Sequence, residues 1–155
     1  MHMSSEPRAG GSRTPDTVGT VGRSLVIWQV LSALFLLAMG GIHLYLVFNG
    51  TGGVLGRLFV LNAIGALVMA IAMLVLRGGL LLVASVLSLL FIAGTLLALV
   101  IALTPVGLFG IRSSLDYQLA PTTLVVESIG TIVLAVTVAL VFRTRRRTRT
   151  RAARG

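Results

Sequence analysis

The most informative features of this chain are the residue types that it lacks. It contains no cysteine, which excludes disulfide bonds, thiolate metal sites and cysteine redox chemistry. It also contains no lysine, because all 13 basic residues are arginine, and it has only four acidic residues and two histidines. Charged residues make up 11% of the 155 positions, and this low fraction excludes an ordinary soluble domain.

Apolar residues are abundant instead, at 56% of the chain, with a mean hydropathy of +1.02. They form four runs of about 24 residues, and at ~1.5 Å per residue each run is long enough to cross a ~30 Å hydrocarbon layer. The runs cover residues 25–48, 54–76, 80–103 and 119–142. The sequence therefore predicts an all-α membrane protein, an antiparallel bundle of four transmembrane helices.

Two polar tails flank the transmembrane domain, which is predicted to cover residues 23–142. Residues 1–22 are rich in Gly, Pro and Ser, and we expect a disordered tail there. That tail begins with Met-His-Met, which resembles the remnant of a cloning site. Residues 143–155 form an arginine-rich tail. If both termini are cytoplasmic, eleven of the 13 arginines lie inside, so the positive-inside rule predicts that orientation in a bacterial plasma membrane.

The connections between the runs differ in length. Residues 49–53 and 77–79 are short and rich in glycine, so they predict tight turns between antiparallel neighbours. The third connection, residues 104–118, is longer and partly apolar. We expect its apolar side chains to lie on the membrane surface or over the end of the bundle; they are Val106, Leu108, Phe109 and Ile111.

Polar side chains within the spans concentrate in the predicted outer half. Glu127 and Asn62 lie about 12 Å, and His43 about 7 Å, from the outer ends of their helices. An ionisable group inside a bilayer is costly, so Glu127 indicates a functional site. We expect it to contact His43, directly or through one water, with its carboxyl neutral or sharing a proton at pH 7. The expected rim of this ligand-binding or proton-linked site consists of Arg57, Tyr45, Asp116 and Tyr117.

Spacings of three and four residues place these groups on helix faces that also carry small residues. The faces are Gln29, Ser32, Leu36, Gly40, His43 and Val47 on the first helix; Asn62, Ala66 and Ala70 on the second; and Glu127, Gly130, Thr131 and Leu134 on the fourth. Membrane helices pack through small residues, so these polar groups are expected to face the bundle interior. The third helix has a ridge of Gly94, Ala98 and Ala102, which can pack within the bundle or against another protomer.

Structural explanations remain open for several of these residues. His43 can bond a neighbouring carbonyl, Asn62 can link two helices, and Arg57 can extend to the membrane interface. The tail arginines follow a membrane helix directly, which indicates contact with anionic lipid headgroups rather than nucleic acid. The arginines expected to make this contact are Arg143, Arg145, Arg146, Arg147 and Arg149.

Motifs for catalysis and cofactor binding are missing. The chain has no His- or Cys-rich metal set, no Gly-rich phosphate loop and no Gly-x-Ser-x-Gly elbow. A b-type haem requires two axial ligands, whereas the spans supply one histidine, His43. We therefore expect no catalytic residue, no metal and no cofactor.

Four short segments carry a resemblance to a known group of proteins. They are Gly-Gly-Ile-His-Leu-Tyr-Leu at 40–46, Leu-Phe-Val-Leu-Asn-Ala at 58–63, Gly-Leu-Phe-Gly at 107–110 and Leu-Val-Val-Glu at 124–127. Together they resemble small four-span membrane proteins of actinobacteria, and the exclusive use of arginine is typical of such high-GC genomes. The layout is also similar to DoxX-like proteins. The resemblance implies a fold and a source, and no activity.

Three functions remain open from the sequence. The leading one is a binding or accessory subunit with an outward-facing polar pocket for a small ligand or a partner membrane protein. The second is a small proton-coupled transporter or channel that works as an oligomer, with Glu127 as proton acceptor. The third is a membrane enzyme acting on a lipid-soluble substrate through His43 and Glu127. A transporter needs a polar path through the inner half, and an enzyme needs a further titratable group near Glu127.

Overall fold

The computed structural model describes residues 16–107, 114 and 119–153, and it is all-helical over these residues. Four helices follow one another: α1 Asp16–Phe48, α2 Gly53–Val75, α3 Gly78–Ala102 and α4 Ala120–Ala152. Each contains a stretch that is long and apolar enough to cross a membrane. Helices satisfy their own backbone hydrogen bonds, which is what a chain in hydrocarbon requires. The predicted four-helix fold is confirmed, and the chain is a multi-pass membrane protein.

Glycines lie at the turns between the helices, where the sequence predicts them. Between α1 and α2 the backbone takes positive φ angles at Gly50 and Gly53, 99° and 64°, which residues with a side chain rarely adopt. Gly78 does the same after α2, with φ 59°. These turns reverse the chain within a few residues, so α1, α2 and α3 form antiparallel hairpins.

The helix bounds differ from the predicted ones at both tails. The first helix begins at Asp16, so residues 16–22 of the predicted tail belong to α1. Residues 1–15 lie outside the described part. At the other end α4 does not stop with its apolar run but continues to Ala152, so most of the arginine-rich segment is helical. Residues 108–113 and 115–118, which hold three of the four apolar side chains expected over the bundle, also lie outside the described part.

The helices form a closed ring in which α1 packs against α2 and α4, and α3 packs against α4 and, less closely, against α2. Small residues bring α1 and α2 together: a Cβ placed on Gly40 would lie only 2.9 Å from Ala66 Cβ. Large apolar side chains fill the interior, and the most deeply buried of these are Leu36, Met39, Met73, Ile92 and Leu134. Many other Leu, Ile and Val side chains point outward, as expected in contact with lipid.

Most of the predicted helix faces are directed into this interior. Gln29, Ser32 and His43 are buried on α1, Ala66 and Ala70 on α2, and Glu127, Gly130 and Leu134 on α4. The face of α3 that lies inside carries Leu81, Ala84, Ser85, Ser88 and Ile92. The predicted ridge is directed elsewhere: Gly94 is exposed, and a Cβ there would meet nothing within 4 Å.

Candidate functional site

Glu127 lies inside the bundle and not against lipid. Its side chain is 1% exposed, and neither carboxyl oxygen has a hydrogen-bond partner among the described residues. An ionised carboxylate buried without a donor or a cation is very costly. An ionised Glu127 would therefore need a hydrogen-bond donor or a cation that the described residues do not supply.

Thr95 of α3 and two threonines of α4, four residues on either side of Glu127, have hydroxyls that donate to helix carbonyls. Thr95 of α3 lies beside the carboxyl, but its hydroxyl donates to the Ile92 carbonyl at 2.8 Å. On α4, Thr131 donates to the backbone carbonyl of Glu127 itself at 2.7 Å. One turn on the other side of Glu127, Thr123 donates to the Leu119 carbonyl at 2.9 Å. Each of these hydroxyl protons has a helix carbonyl as acceptor, and the Glu127 carboxyl oxygens have no partner among the described residues.

His43 forms a second polar group, between α1 and α2. Its side chain is 6% exposed, and Nδ1 lies 2.8 Å from the Met39 carbonyl. Nε2 lies 3.1 Å from Nδ2 of Asn62. Because the Asn62 amide donates, Nε2 accepts and Nδ1 carries the proton, so His43 is a neutral imidazole. Phe59 packs edge-on against the ring, 4.8 Å between ring centroids. The other amide atom of Asn62, Oδ1, is buried without a partner among the described residues.

Met39 joins the two polar groups. Its carbonyl accepts the His43 proton, and its Sδ lies 3.3 Å from the Thr95 hydroxyl that is next to Glu127. The site therefore draws on all four helices, with Met39 between the carboxyl and the imidazole. The expected direct hydrogen bond between Glu127 and His43 is not formed, because Met39 and Asn62 occupy both ring nitrogens.

Two of the four predicted rim residues, Tyr45 and Arg57, belong to the described part of the chain, and both are exposed. Tyr45 is 51% exposed on α1, and Arg57 is exposed near the start of α2. Arg57 lines a groove at the α1–α2 turn, and none of His43, Asn62 and Glu127 lines that groove. Asp116 and Tyr117 lie outside the described residues.

The opposite half of the bundle, toward Arg77 and the end of α4, holds a second buried polar layer. Ser32 Oγ lies 2.9 Å from Thr137 Oγ1, which links α1 to α4, and Gln29 Nε2 donates to the Met73 carbonyl at 3.1 Å. Ser88 Oγ is buried without a partner in the described part of the chain. Completely buried apolar side chains separate this layer from Glu127, namely Leu36, Ile92 and Leu134.

The arginine-rich end of α4 surrounds its helix with positive charge. Arg143, Arg146, Arg147 and Arg149 are exposed, and Arg145 is half-buried. The Arg146 guanidinium stacks over the Phe142 ring, 4.5 Å from its centroid. Arg145 contacts the start of α3, since a Cβ on Gly79 would lie 3.0 Å from its Nη2.

The two residues that connect Glu127 with His43, Thr95 and Met39, were not predicted from the sequence. Thr95 and Met39 carry no charge, and each resembles an ordinary member of an apolar span. One signal was available: Ser85, Ser88, Ile92 and Thr95 recur at spacings of three and four, which marks the interior face of α3. Within the described residues, no group of three or more His, Asp or Glu side chains is placed to hold a metal ion.

Comparison with known proteins gives no match: no protein-family model, no curated protein and no solved structure is similar to this chain. The resemblance to small actinobacterial four-span proteins, and to DoxX-like proteins in layout, therefore stays a prediction. Function has to be inferred from the residues inside the bundle.

Proposed function

We propose that the protein is a membrane binding or accessory subunit that takes up a small hydrogen-bond donor, best an amine, at Glu127. Three buried oxygen atoms support this: the two carboxyl oxygens of Glu127, which are both acceptors when the group is ionised, and Oδ1 of Asn62. None has a hydrogen-bond partner in the described residues. Unpaired buried acceptors are costly, and a bound donor removes that cost. An ammonium group brings three N–H donors and a charge opposite to that of a carboxylate.

The apolar layer between Glu127 and the second polar layer favours binding over transport. Leu36, Ile92 and Leu134 are completely buried and belong to one packed cluster. A ligand or proton at Glu127 would have to pass this layer before reaching the hydroxyls of Ser32 and Thr137. In this arrangement the bundle can hold a ligand without conducting it.

The experiment uses octylamine as probe, with octanol and octanoate of the same chain length as comparisons. The purified protein is unfolded by heat in detergent, with each probe well below its micellar concentration. Octylamine should raise the Tm of the wild type by several degrees, because a ligand that binds only the folded state stabilises it. Octanoate should not, since it brings no donor at neutral pH.

Variants locate the effect. Glu127→Leu and Glu127→Gln should abolish the octylamine shift. Ser88→Ala is the matched control, because Ser88 is also buried and unpartnered but lies beyond the apolar layer. It should keep the shift. An octylamine shift that survives Glu127→Leu, or that octanoate matches, would refute binding at Glu127.

A second candidate is a proton-coupled transporter or channel with Glu127 as proton acceptor. The second polar layer supports it, because Gln29, Ser32, Ser88 and Thr137 are all buried in the other half of the bundle. Proton flux into liposomes that contain a pH-sensitive dye tests it. A flux that Glu127→Gln removes would favour transport over simple binding, and no flux above protein-free liposomes would exclude it.

The setting that we propose is a bacterial plasma membrane with both termini in the cytoplasm. The distribution of arginines supports that orientation. The exposed arginines at the end of α4 support contact with anionic headgroups, worth about 1 kcal/mol for each arginine near the surface. The outward-facing Gly94 supports association with a second copy or a partner membrane protein.

A further inference from the structure

An open groove of about 620 Å³ lies where α1 turns into α2. Among the described residues that line it, one is charged and none is acidic; they are Val47, Thr51, Gly52, Gly53, Gly56, Arg57, Val60 and Leu61. The turn joins two membrane-spanning helices, so the groove lies at the membrane–water boundary. It is separate from the Glu127 site, whose residues do not line it.

Positive charge gathers at the upper part of the groove. The Arg57 guanidinium is exposed and makes no ion pair within the described part of the chain. Gly52 and Gly53 leave the backbone accessible beside it, since a Cβ on either would meet nothing within 4 Å. The start of α2 has no side-chain cap, so its first N–H groups add partial positive charge on the same side. The groove is thus suited to an anion.

The lower part of the groove is apolar. Val60 and Leu61 follow Arg57 by about one helical turn, or ~5 Å along the axis, toward the interior of the membrane. Leu61 is 64% exposed, so its side chain offers a surface for a hydrocarbon chain. A free inorganic anion would gain nothing from contact with that apolar surface. A lipid with a phosphate above its acyl chains matches both the charged upper part and the apolar lower part of the groove.

We propose that this groove binds an anionic phospholipid, with its phosphate on Arg57 and an acyl chain along Val60 and Leu61. Charge complementarity selects the anionic class. A zwitterionic lipid would place its ammonium near Arg57 and the uncapped helix start, and none of the described lining residues is acidic and able to receive it. A phosphate instead receives charge-assisted hydrogen bonds from the guanidinium.

The test separates this groove from the arginine-rich end of α4. Purified full-length protein in detergent is exposed to phosphatidylglycerol with a photoreactive acyl chain, and labelled peptides are identified by mass spectrometry. Labelling should occur on the segment 47–61. Unlabelled phosphatidylglycerol should compete with it about tenfold better than phosphatidylcholine with the same acyl chains. Inorganic phosphate should not compete at equal concentration.

Two variants and one control complete the experiment. Arg57→Gln should reduce labelling of segment 47–61 about tenfold and leave labelling near the end of α4 unchanged. Leu61→Asn should reduce it as well, because it removes the apolar wall. Arg77→Gln is the matched control, since Arg77 is an exposed arginine at the other helix turn whose guanidinium donates to the Leu74 and Leu76 carbonyls. Equal loss with Arg77→Gln, or competition by phosphatidylcholine or phosphate, would overturn the proposal.

Discussion

Nδ2 of Asn62 lies 3.1 Å from Nε2 of His43, and this hydrogen bond ties α2 to α1 in the interior of the bundle. Because it fixes the imidazole as an acceptor at Nε2, the ring proton is on Nδ1, where the Met39 carbonyl receives it. His43 is therefore held on both sides and makes no direct hydrogen bond to Glu127. Glu127 and the His43–Asn62 pair are therefore two separate polar groups within one site.

The first prediction concerns that pair. In a double-mutant cycle, His43→Leu and Asn62→Leu should show a favourable coupling of about 0.5–1.5 kcal/mol, the range for hydrogen bonds between membrane helices. The free energy of unfolding, measured by denaturant titration in mixed micelles, gives this value. Additive effects of the two substitutions would show that the hydrogen bond does not hold the helices together.

The second prediction concerns the close approach of α1 and α2. Gly40→Ala would place its Cβ 2.9 Å from Ala66 Cβ, which cannot move away without the backbone, so a loss of about 1–3 kcal/mol of unfolding free energy is expected. Gly41→Ala is the control, because nothing lies within 4 Å of a Cβ there. It should be neutral or slightly stabilising, since alanine favours helix.

A rescue makes that prediction sharper. Ala66→Gly in the Gly40→Ala background removes the atom that the new methyl group meets, and it should restore much of the lost stability. If Gly40→Ala and Gly41→Ala cost the same, the two helices do not approach each other as closely as the structure has them.

The third prediction concerns orientation. A reporter enzyme that works only in the cytoplasm should be active when it is fused after Gly155. The reason is that eleven of the 13 arginines lie inside in this orientation. The same reporter inserted into the α1–α2 turn should be inactive there. Activity of a periplasm-specific reporter fused after Gly155 would show that the orientation is the opposite one.

The fourth prediction concerns association between copies. The chain has no cysteine, so one introduced thiol reports on its own position. Gly94→Cys should give a disulfide-linked dimer in native membranes, because Gly94 is exposed and small enough for a second helix to approach. Val100→Cys, which is also exposed but on a different face of α3, is the control. Monomer alone with Gly94→Cys would exclude dimerisation through this ridge.

The fold was predictable from this sequence because the signals were local and strong. Runs of about 24 apolar residues between glycine turns predict membrane helices, and polar residues at helical spacing predict the interior faces of α1, α2 and α4. The burial of Glu127 and His43 followed from the same rule, since neither is tolerated against lipid.

The contacts within the site were less predictable, because they depend on how four helices are rotated about their axes. The estimated depths along the helices predicted that Glu127 and His43 lie close together. Depth alone does not determine which carbonyl or amide forms a hydrogen bond with each ring nitrogen. Met39 lies one turn from His43 and takes its Nδ1 proton, a contact that any histidine in a helix can make. On α3 the small residues left packing inside the bundle and packing against another protomer both open, whereas Ser88, Ile92 and Thr95 lie on the interior face.

The most direct test of the Glu127 site is the infrared carbonyl band of its carboxylic acid in the purified protein. The chain has only four acidic residues, so the spectrum is simple to assign. At neutral pH we expect a carboxylic acid band that Glu127→Gln removes. Octylamine is an ammonium ion at this pH. It should abolish the band if it binds the ionised carboxylate, whose proton goes to water, or shift the band if it donates to the neutral carboxyl. If no such band depends on Glu127, or if octylamine leaves it unchanged, the carboxyl is not the binding group that this account requires.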